Sequence, residues 1–155
     1  MEKLYKVLSD IQVSLFVLFQ KTWVYHWHIT GADFYQIHTL FGEQYTTLFE
    51  EVDRISEHIR YLGAKPVSSL SRISEISRIS EAKSGLTEME MIKDLLKGHN
   101  TIIEMFGEGS EIAEELKSRG TTNLLDQLNE DHGKFVWFLR SIVCFPADSV
   151  SDTII

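Results

Sequence analysis

From residue 3 to residue 29, apolar side chains recur at steps of three and four, at Leu4, Val7, Leu8, Ile11, Leu15 and Leu18, and Thr22 and Tyr25 continue the same face. That spacing is one face of an amphipathic helix. Thr30 and Gly31 form a C-terminal stop, and Asp33 stands where an N-cap is expected for a second helix. The second helix presents Phe34, Ile37, Phe41, Leu48, Val52, Ile55, Ile59 and Leu62, and Gly63, followed by Pro66, ends it.

Residues 63–86 have a different texture. They are serine-rich, and Leu70, Ile73, Ile76 and Ile79 fall three apart within a near-repeat, so a short helix inside a long connection is expected. Thr87 and Glu90 have the form of a capping box opening a third long helix. It carries Ile92, Leu95, Leu96, Ile102, Ile103, Phe106, Ile112 and Leu116 toward Gly120, with Gly98, Gly107 and Gly109 weakening the pattern. A fourth runs from about Thr122 through Leu124, Leu125, Leu128, Phe135, Phe138, Leu139 and Ile142, and Pro146 prevents its continuation. Short first and last turns make antiparallel hairpins, whereas the middle connection is long enough to run back along a whole helix. The reading is an all-α, up-down four-helix bundle over residues 1–145 with a short tail at 146–155. Ferritin-like bundles have this arrangement, and cytokine-like bundles also use long connections.

Composition narrows the partners. Among 155 residues, 15 Lys and Arg face 23 Asp and Glu, a formal charge of −8. Such a chain repels phosphate backbones and favours cations. Neither end carries a basic arm: Lys3 and Lys6 stand alone at the start, and residues 146–155 hold no Lys or Arg. No apolar run is long enough for a membrane span. The one cysteine, Cys144, builds no internal disulfide, and Met1 to Lys6 lack the order of a signal peptide, so the expected location is the cytoplasm.

The chemistry-bearing residues are His26 and Trp27 near the end of the first helix, His38 near the start of the second, and Asp53 with Glu57 further along it. Asp53 and Glu57 are four apart, so both carboxylates leave one helix face and together suit a hard or borderline cation. In a chain with 23 acidic residues, most such pairs are a solvated acidic face. His26 and His38 flank the Thr30-Gly31 turn, so hairpin closure brings them to similar depth, although a lone buried histidine is more often a hydrogen-bonded core residue. His38 and Asp53 lie fifteen positions apart, about 22 Å along a helix, too far to share an ion within one chain. One site made of all four must therefore lie between subunits related by a two-fold axis. Histidines with carboxylates and open positions suit ferrous iron in redox work better than structural zinc.

At these residues the chain resembles the Dps family of mini-ferritins. Lys21-Thr-Trp-Val-Tyr-His-Trp-His-Ile-Thr-Gly31 is similar to that family's Lys-Thr-His-Asn-Phe-His-Trp-Asn segment. His38 continues the match within Phe34 to Phe41. Glu51 to Glu57 then carry the Asp-x-x-x-Glu block, and Gly63 to Pro66 the Gly-x-x-Pro exit. The likeness is strong over residues 11–66 and looser through the crossover into Lys134 to Arg140. It implies a ferritin-like four-helix bundle assembled as a hollow dodecamer. His26, His38, Asp53 and Glu57 would be inter-subunit ferroxidase ligands, with Trp27 beside them as electron donor or radical trap. Iron would be oxidised, preferably by hydrogen peroxide rather than dioxygen, and stored inside as ferric mineral. Interior carboxylates such as Glu50 or Glu51 would nucleate that mineral.

The departures are specific. Gly42 stands where the family usually has an acidic ligand for a second iron, with Glu43 on a different azimuth. Trp23 replaces a frequent histidine, and Asn123 a frequent aspartate near the start of the last helix, so pore acidity would fall to Asp126, Glu130 or Asp131. Larger ferritins use Glu-x-x-His pairs, but the residues three before the six histidines are Trp23, Tyr25, Tyr35, Ile55, Leu96 and Asn129. That argues against an intra-bundle di-iron centre and leaves His28, His58, His99 and His132 as surface or helix-end residues. Two other readings are a DNA-coating nucleoid protein and a catalytically silent shell. With no basic arm, duplex DNA is expected to show no gel retardation at neutral pH and ordinary salt; clear retardation would overturn the charge argument.

Overall fold

The computed structural model describes residues 1–144, and the expected tail lies outside them. Five helices follow in order: α1 (Glu2–His28), α2 (Phe34–Tyr61), α3 (Leu70–Ile76), α4 (Glu88–Glu115) and α5 (Arg119–Val143). No strand occurs among the described residues. The four long helices form a ferritin-like bundle of two antiparallel hairpins, α1–α2 and α4–α5, packed together chiefly through α1 against α4.

The helix ends follow local chemistry. Ile29 turns to extended backbone, and Gly31 takes φ +129°, a conformation side chains rarely adopt. Asp33 occupies the N-cap position of α2, but its side chain makes no capping bond. At the far end, Gly63 (φ +92°) lets the Ala64 amide donate to the Ile59 carbonyl, a Schellman-type closure. The Thr87–Glu90 capping box forms as expected, with the Thr87 amide donating to Glu90 Oε2 at 2.8 Å and the Glu90 amide to Thr87 Oγ1 at 3.3 Å.

Two expectations about α4 and α5 change. The turn between them falls at Lys117 (φ +56°) rather than Gly120, so α4 ends earlier and Gly120 lies in the first turn of α5. The glycines of α4 do not interrupt it. A Cβ on Gly98 would lie 2.7 Å from Leu18 Cδ1, and one on Gly109 2.8 Å from Leu125 Cδ1. These positions let α1 and α5 approach the α4 backbone closely.

Unlike the other helices, α1 is covered on nearly all sides, so it buries polar side chains as well as its apolar stripe. Those polar groups hold the crossover. Gln12 makes a two-way pair with the Val67 backbone, donating from Nε2 to the carbonyl and accepting the amide at Oε1, both at 2.9 Å. Ser14 Oγ accepts the Arg78 amide, and Tyr25 Oη accepts the Lys83 amide while donating to Asp94 Oδ2 at 2.7 Å. Lys21, only 2% exposed, places Nζ 2.9 Å from the same Asp94 oxygen. Burial works against the Asp94 charge, but the bonds from Tyr25 and Lys21 outweigh it, and its pKa is lowered. Burial, with Asp94 beside it, raises the Tyr25 phenol above its ordinary value.

Asp94→Ala would leave the buried Lys21 ammonium without its counter-ion. A loss of about 3 kcal/mol is expected, measured as a lower urea midpoint with an unchanged slope.

Candidate metal centre

His26 lies in the last turn of α1 and His38 in the second turn of α2, and the short hairpin stacks their rings 3.7 Å apart at 20°. Each ring is fixed by the other residue's backbone. His26 Nδ1 donates to the His38 carbonyl at 2.8 Å, and His38 Nδ1 donates to the His26 carbonyl at 2.9 Å. The His26 carbonyl is available because the last turn of a helix leaves its carbonyls without intrahelical partners. A carbonyl only accepts, so the reciprocal clamp puts the proton of each neutral ring on Nδ1. Both Nε2 lone pairs then remain for a metal.

Around the pair the surface is aromatic. Phe34 stacks on His38 at 4.9 Å and Tyr45 meets the edge of His26 at 5.1 Å. Trp27 is 54% exposed and lies 4.7 Å from Trp23, which stacks in turn on Phe19 at 5.7 Å. Trp23, Trp27, Phe34, Tyr35 and Phe49 all present large apolar area to solvent. Exposed aromatic area of this kind is typical of surfaces that contact another molecule. Gly42 faces the histidines: a Cβ there would sit 3.4 Å from His26 Cε1.

Asp53 and Glu57 are both exposed on α2, and neither side chain makes an ion pair or hydrogen bond among the described residues. Because α2 is unbroken, the structure does not bring them to the histidine pair of their own chain. Among the described residues no three His, Cys, Asp or Glu groups of one chain converge to hold a metal.

A second cluster lies inside the bundle. Gln44 and Glu51 of α2, His99 of α4 and His132 of α5 are each at most 1% exposed. They form a chain: Glu51 Oε2 to His132 Nε2 at 2.8 Å, His132 Nδ1 to His99 Nδ1 at 3.0 Å, and His99 Nε2 to Gln44 Oε1 at 3.4 Å. Gln44 Nε2 and Glu51 Oε1 have no partner. Burial, reinforced by nearby Asp131, raises the Glu51 carboxyl to about 9. Burial lowers His132 to about 3, and burial together with His132 holds His99 well below its ordinary value. The cluster is therefore neutral at pH 7.

The ferritin-like domain family covers residues 5–144 of this chain. DNA protection during starvation protein 2 of Bacillus anthracis is 32% identical over 138 residues, spanning 89% of this chain and 94% of the relative. The fold of Dps from Thermosynechococcus elongatus superposes with a TM-score of 0.92 at 28% identity, covering 97% of this chain and 96% of that one. Dps from Vibrio cholerae, described as a member of a broad superfamily of ferritin-like diiron-carboxylate proteins, matches with a TM-score of 0.88 at 27% identity, covering 92% and 89%. The chain belongs to the Dps family.

Several expectations for this Dps chain are corrected by its core. His99 and His132 are not surface residues, and Glu51 is no interior-wall carboxylate for mineral, because the bundle encloses all three; Glu50 is exposed. His58 is half-buried and bonded to Thr121 Oγ1 at 2.8 Å, tying α2 to α5, whereas His28 is exposed. The signal for the core cluster was present in the apolar stripes. Gln44 and Glu51 occupy stripe positions between Phe41, Leu48 and Ile55, His99 falls between Leu95 and Ile102, and His132 between Leu128 and Phe135. Near the start of α5, Asn123 and Asp126 line an open cleft of about 620 Å3 with Glu114, Lys117, Arg119 and Thr122.

The shifted groups dictate how stability responds to pH. Glu51, raised from 4.5 to about 9, contributes stability below pH 4.5 that is lost as pH rises toward 9. His132, lowered from 6.5 to about 3, contributes stability above pH 6.5 that is lost as pH falls, and His99 acts in the same direction. Two histidines outweigh one carboxyl below pH 6.5, and Glu51 acts alone above it. Urea unfolding of metal-free protein is expected to show greatest stability near pH 6.5, and Glu51→Gln to remove the fall toward pH 9.

Proposed function

We propose that this Dps chain is a cytoplasmic mini-ferritin subunit that oxidises ferrous iron, preferably with hydrogen peroxide, and stores the ferric product in a hollow dodecamer. His26 and His38 of one copy, with Asp53 and Glu57 of a second, hold the substrate ion between subunits. The observation that carries this reading is the reciprocal histidine clamp, which directs two Nε2 lone pairs away from the backbone while the bare carboxylates stand about 22 Å along the same helix. A two-fold axis across α2 closes both distances at once and gives two equal sites per dimer. The exposed aromatic stripe beside the histidines supports the same contact.

In this site the protein supplies nitrogen and carboxylate donors with open positions, and the redox chemistry belongs to the iron. Peroxide takes two electrons and two protons to give two waters, so no hydroxyl radical is released when both electrons arrive together. Gly42 offers no carboxylate for a second iron, so Trp27 at the edge of the site, its ring 4.7 Å from that of Trp23, is assigned as a supplementary electron donor. A second ferrous ion then reduces its radical, so that two ferrous ions are oxidised per peroxide. The negative chain draws cations toward the shell.

Gly42 also favours one competing reading, a shell that assembles but takes up no iron. His26→Gly with His38→Gly is expected to slow oxidation by more than about 100-fold while leaving the subunit number unchanged. Anaerobic ferrous titration, a peroxide pulse read at the ferric absorbance and light scattering on the same sample measure both. Wild-type oxidation no faster than buffer supports the silent shell, and unchanged kinetics in the variant overturn the ligand assignment.

A further inference from the structure

Peroxide needs two electrons, a ferrous ion gives one, and Gly42 leaves no carboxylate beside the histidines for a second ion. The other electron of each turnover must therefore cross protein, and the ring packing shows where it enters. Trp27 packs on Trp23, at 4.7 Å. The oxidisable ring against the ligand itself is Tyr45, whose edge-on contact with His26 measures 5.1 Å. Tyr45 follows Gly42 by three residues and His38 by seven, so the three share one face of α2. Its ring lies 6.2 Å from that of Trp23. Tyr45, Trp23 and Trp27 thus form a run of neighbouring rings from the side of His26 to an indole that is 54% exposed.

The run is bounded by rings that hold their electrons far more tightly than a phenol or an indole. Phe19 lies 5.7 Å from Trp23 and 6.5 Å from Tyr45, Phe49 packs behind Phe19 at 5.7 Å, and Phe34 covers His38. Trp23 stands where the family frequently has a histidine, and an imidazole there would break the run. We propose that Tyr45 supplies the second electron to peroxide across His26, and that Trp23 and Trp27 refill it in turn. This role rests on the inter-subunit iron reading and gives Trp27 its connection to the ion. The ferrous ion gives one electron, and the Tyr45 phenol gives one electron and its hydroxyl proton. With one further proton from solvent, peroxide leaves as two waters. The Tyr45 radical recovers an electron and a proton from the Trp23 indole, and Trp23 recovers them from Trp27. A second ferrous ion reduces the Trp27 radical, which regains its proton from solvent, so two ferrous ions and two protons are consumed per peroxide. Without Tyr45 a lone ferrous ion transfers one electron only, and peroxide breaks to hydroxide and hydroxyl radical.

The test uses the full-length assembled protein, loaded anaerobically with one ferrous ion per site, pulsed with peroxide, freeze-quenched and read by electron paramagnetic resonance. Ring-deuterated tyrosine or tryptophan assigns the radical. Wild type is expected to show a tryptophanyl radical and, with excess ferrous ion, to oxidise two ions per peroxide without spin-trapped hydroxyl radical. Tyr45→Phe keeps the ring and should lose the protein radical, fall toward one ion per peroxide and release hydroxyl radical. Trp23→Phe should instead leave the radical on tyrosine. A Tyr45→Phe protein with the wild-type radical and ratio overturns the role of Tyr45 and leaves the iron site standing. Wild-type oxidation no faster than buffer overturns the iron site and the relay together. If Tyr45→Phe fails to assemble, the absence of a tyrosyl radical in Trp23→Phe overturns the relay.

Discussion

The straightness of α2 governs this protein. A helix rises about 1.5 Å per residue, and with no break between Phe34 and Tyr61 the histidine end and the carboxylate end of that helix stay apart. On the proposed reading each chain therefore holds two halves of different sites rather than one whole site. If the four residues share an ion, the need for a second copy follows from helix geometry before any interface is considered. The exposed aromatic face beside the histidines fits the same reading, since large exposed apolar surfaces mark sites of contact with other molecules.

That arrangement depends on a hairpin whose tip is held by backbone chemistry. Each imidazole donates its Nδ1 proton to the other residue's carbonyl, so folding of the turn and orientation of the two Nε2 nitrogens are a single event. The rings need no carboxylate behind them, because backbone carbonyls take that place, the His26 carbonyl at the end of α1 holding the His38 ring and the His38 carbonyl of α2 holding the His26 ring. Gly42 leaves the approach to His26 open.

Elsewhere the bundle departs from an oily core in two ways. The buried polar residues of α1 bind the crossover backbone to the bundle and so make the long connection part of the packed structure. The quartet in the middle of the bundle binds no backbone and is held neutral by burial against the ordinary titration of its members. Its members satisfy one another instead, the Glu51 carboxyl on His132, His132 on His99 and His99 on Gln44.

Much of this was legible from order along the chain. The helical periods, the Thr87 capping box, the turn glycines at Gly31 and Gly63 and the four-residue spacing of Asp53 and Glu57 are local patterns, and local steric and hydrogen-bonding rules decide them. The fifteen-residue gap from His38 to Asp53 is likewise local, because a helix converts sequence separation directly into distance. The α4–α5 turn was misplaced because Lys117 rather than Gly120 takes the left-handed conformation, which residue type alone disfavours. The reciprocal clamp of His26 and His38 and the meeting of Glu51, His132, His99 and Gln44 were decided only by tertiary structure. Stripe position says that a side chain turns inward; which nitrogen meets which oxygen depends on the relative rotation and depth of helices that are far apart in the chain.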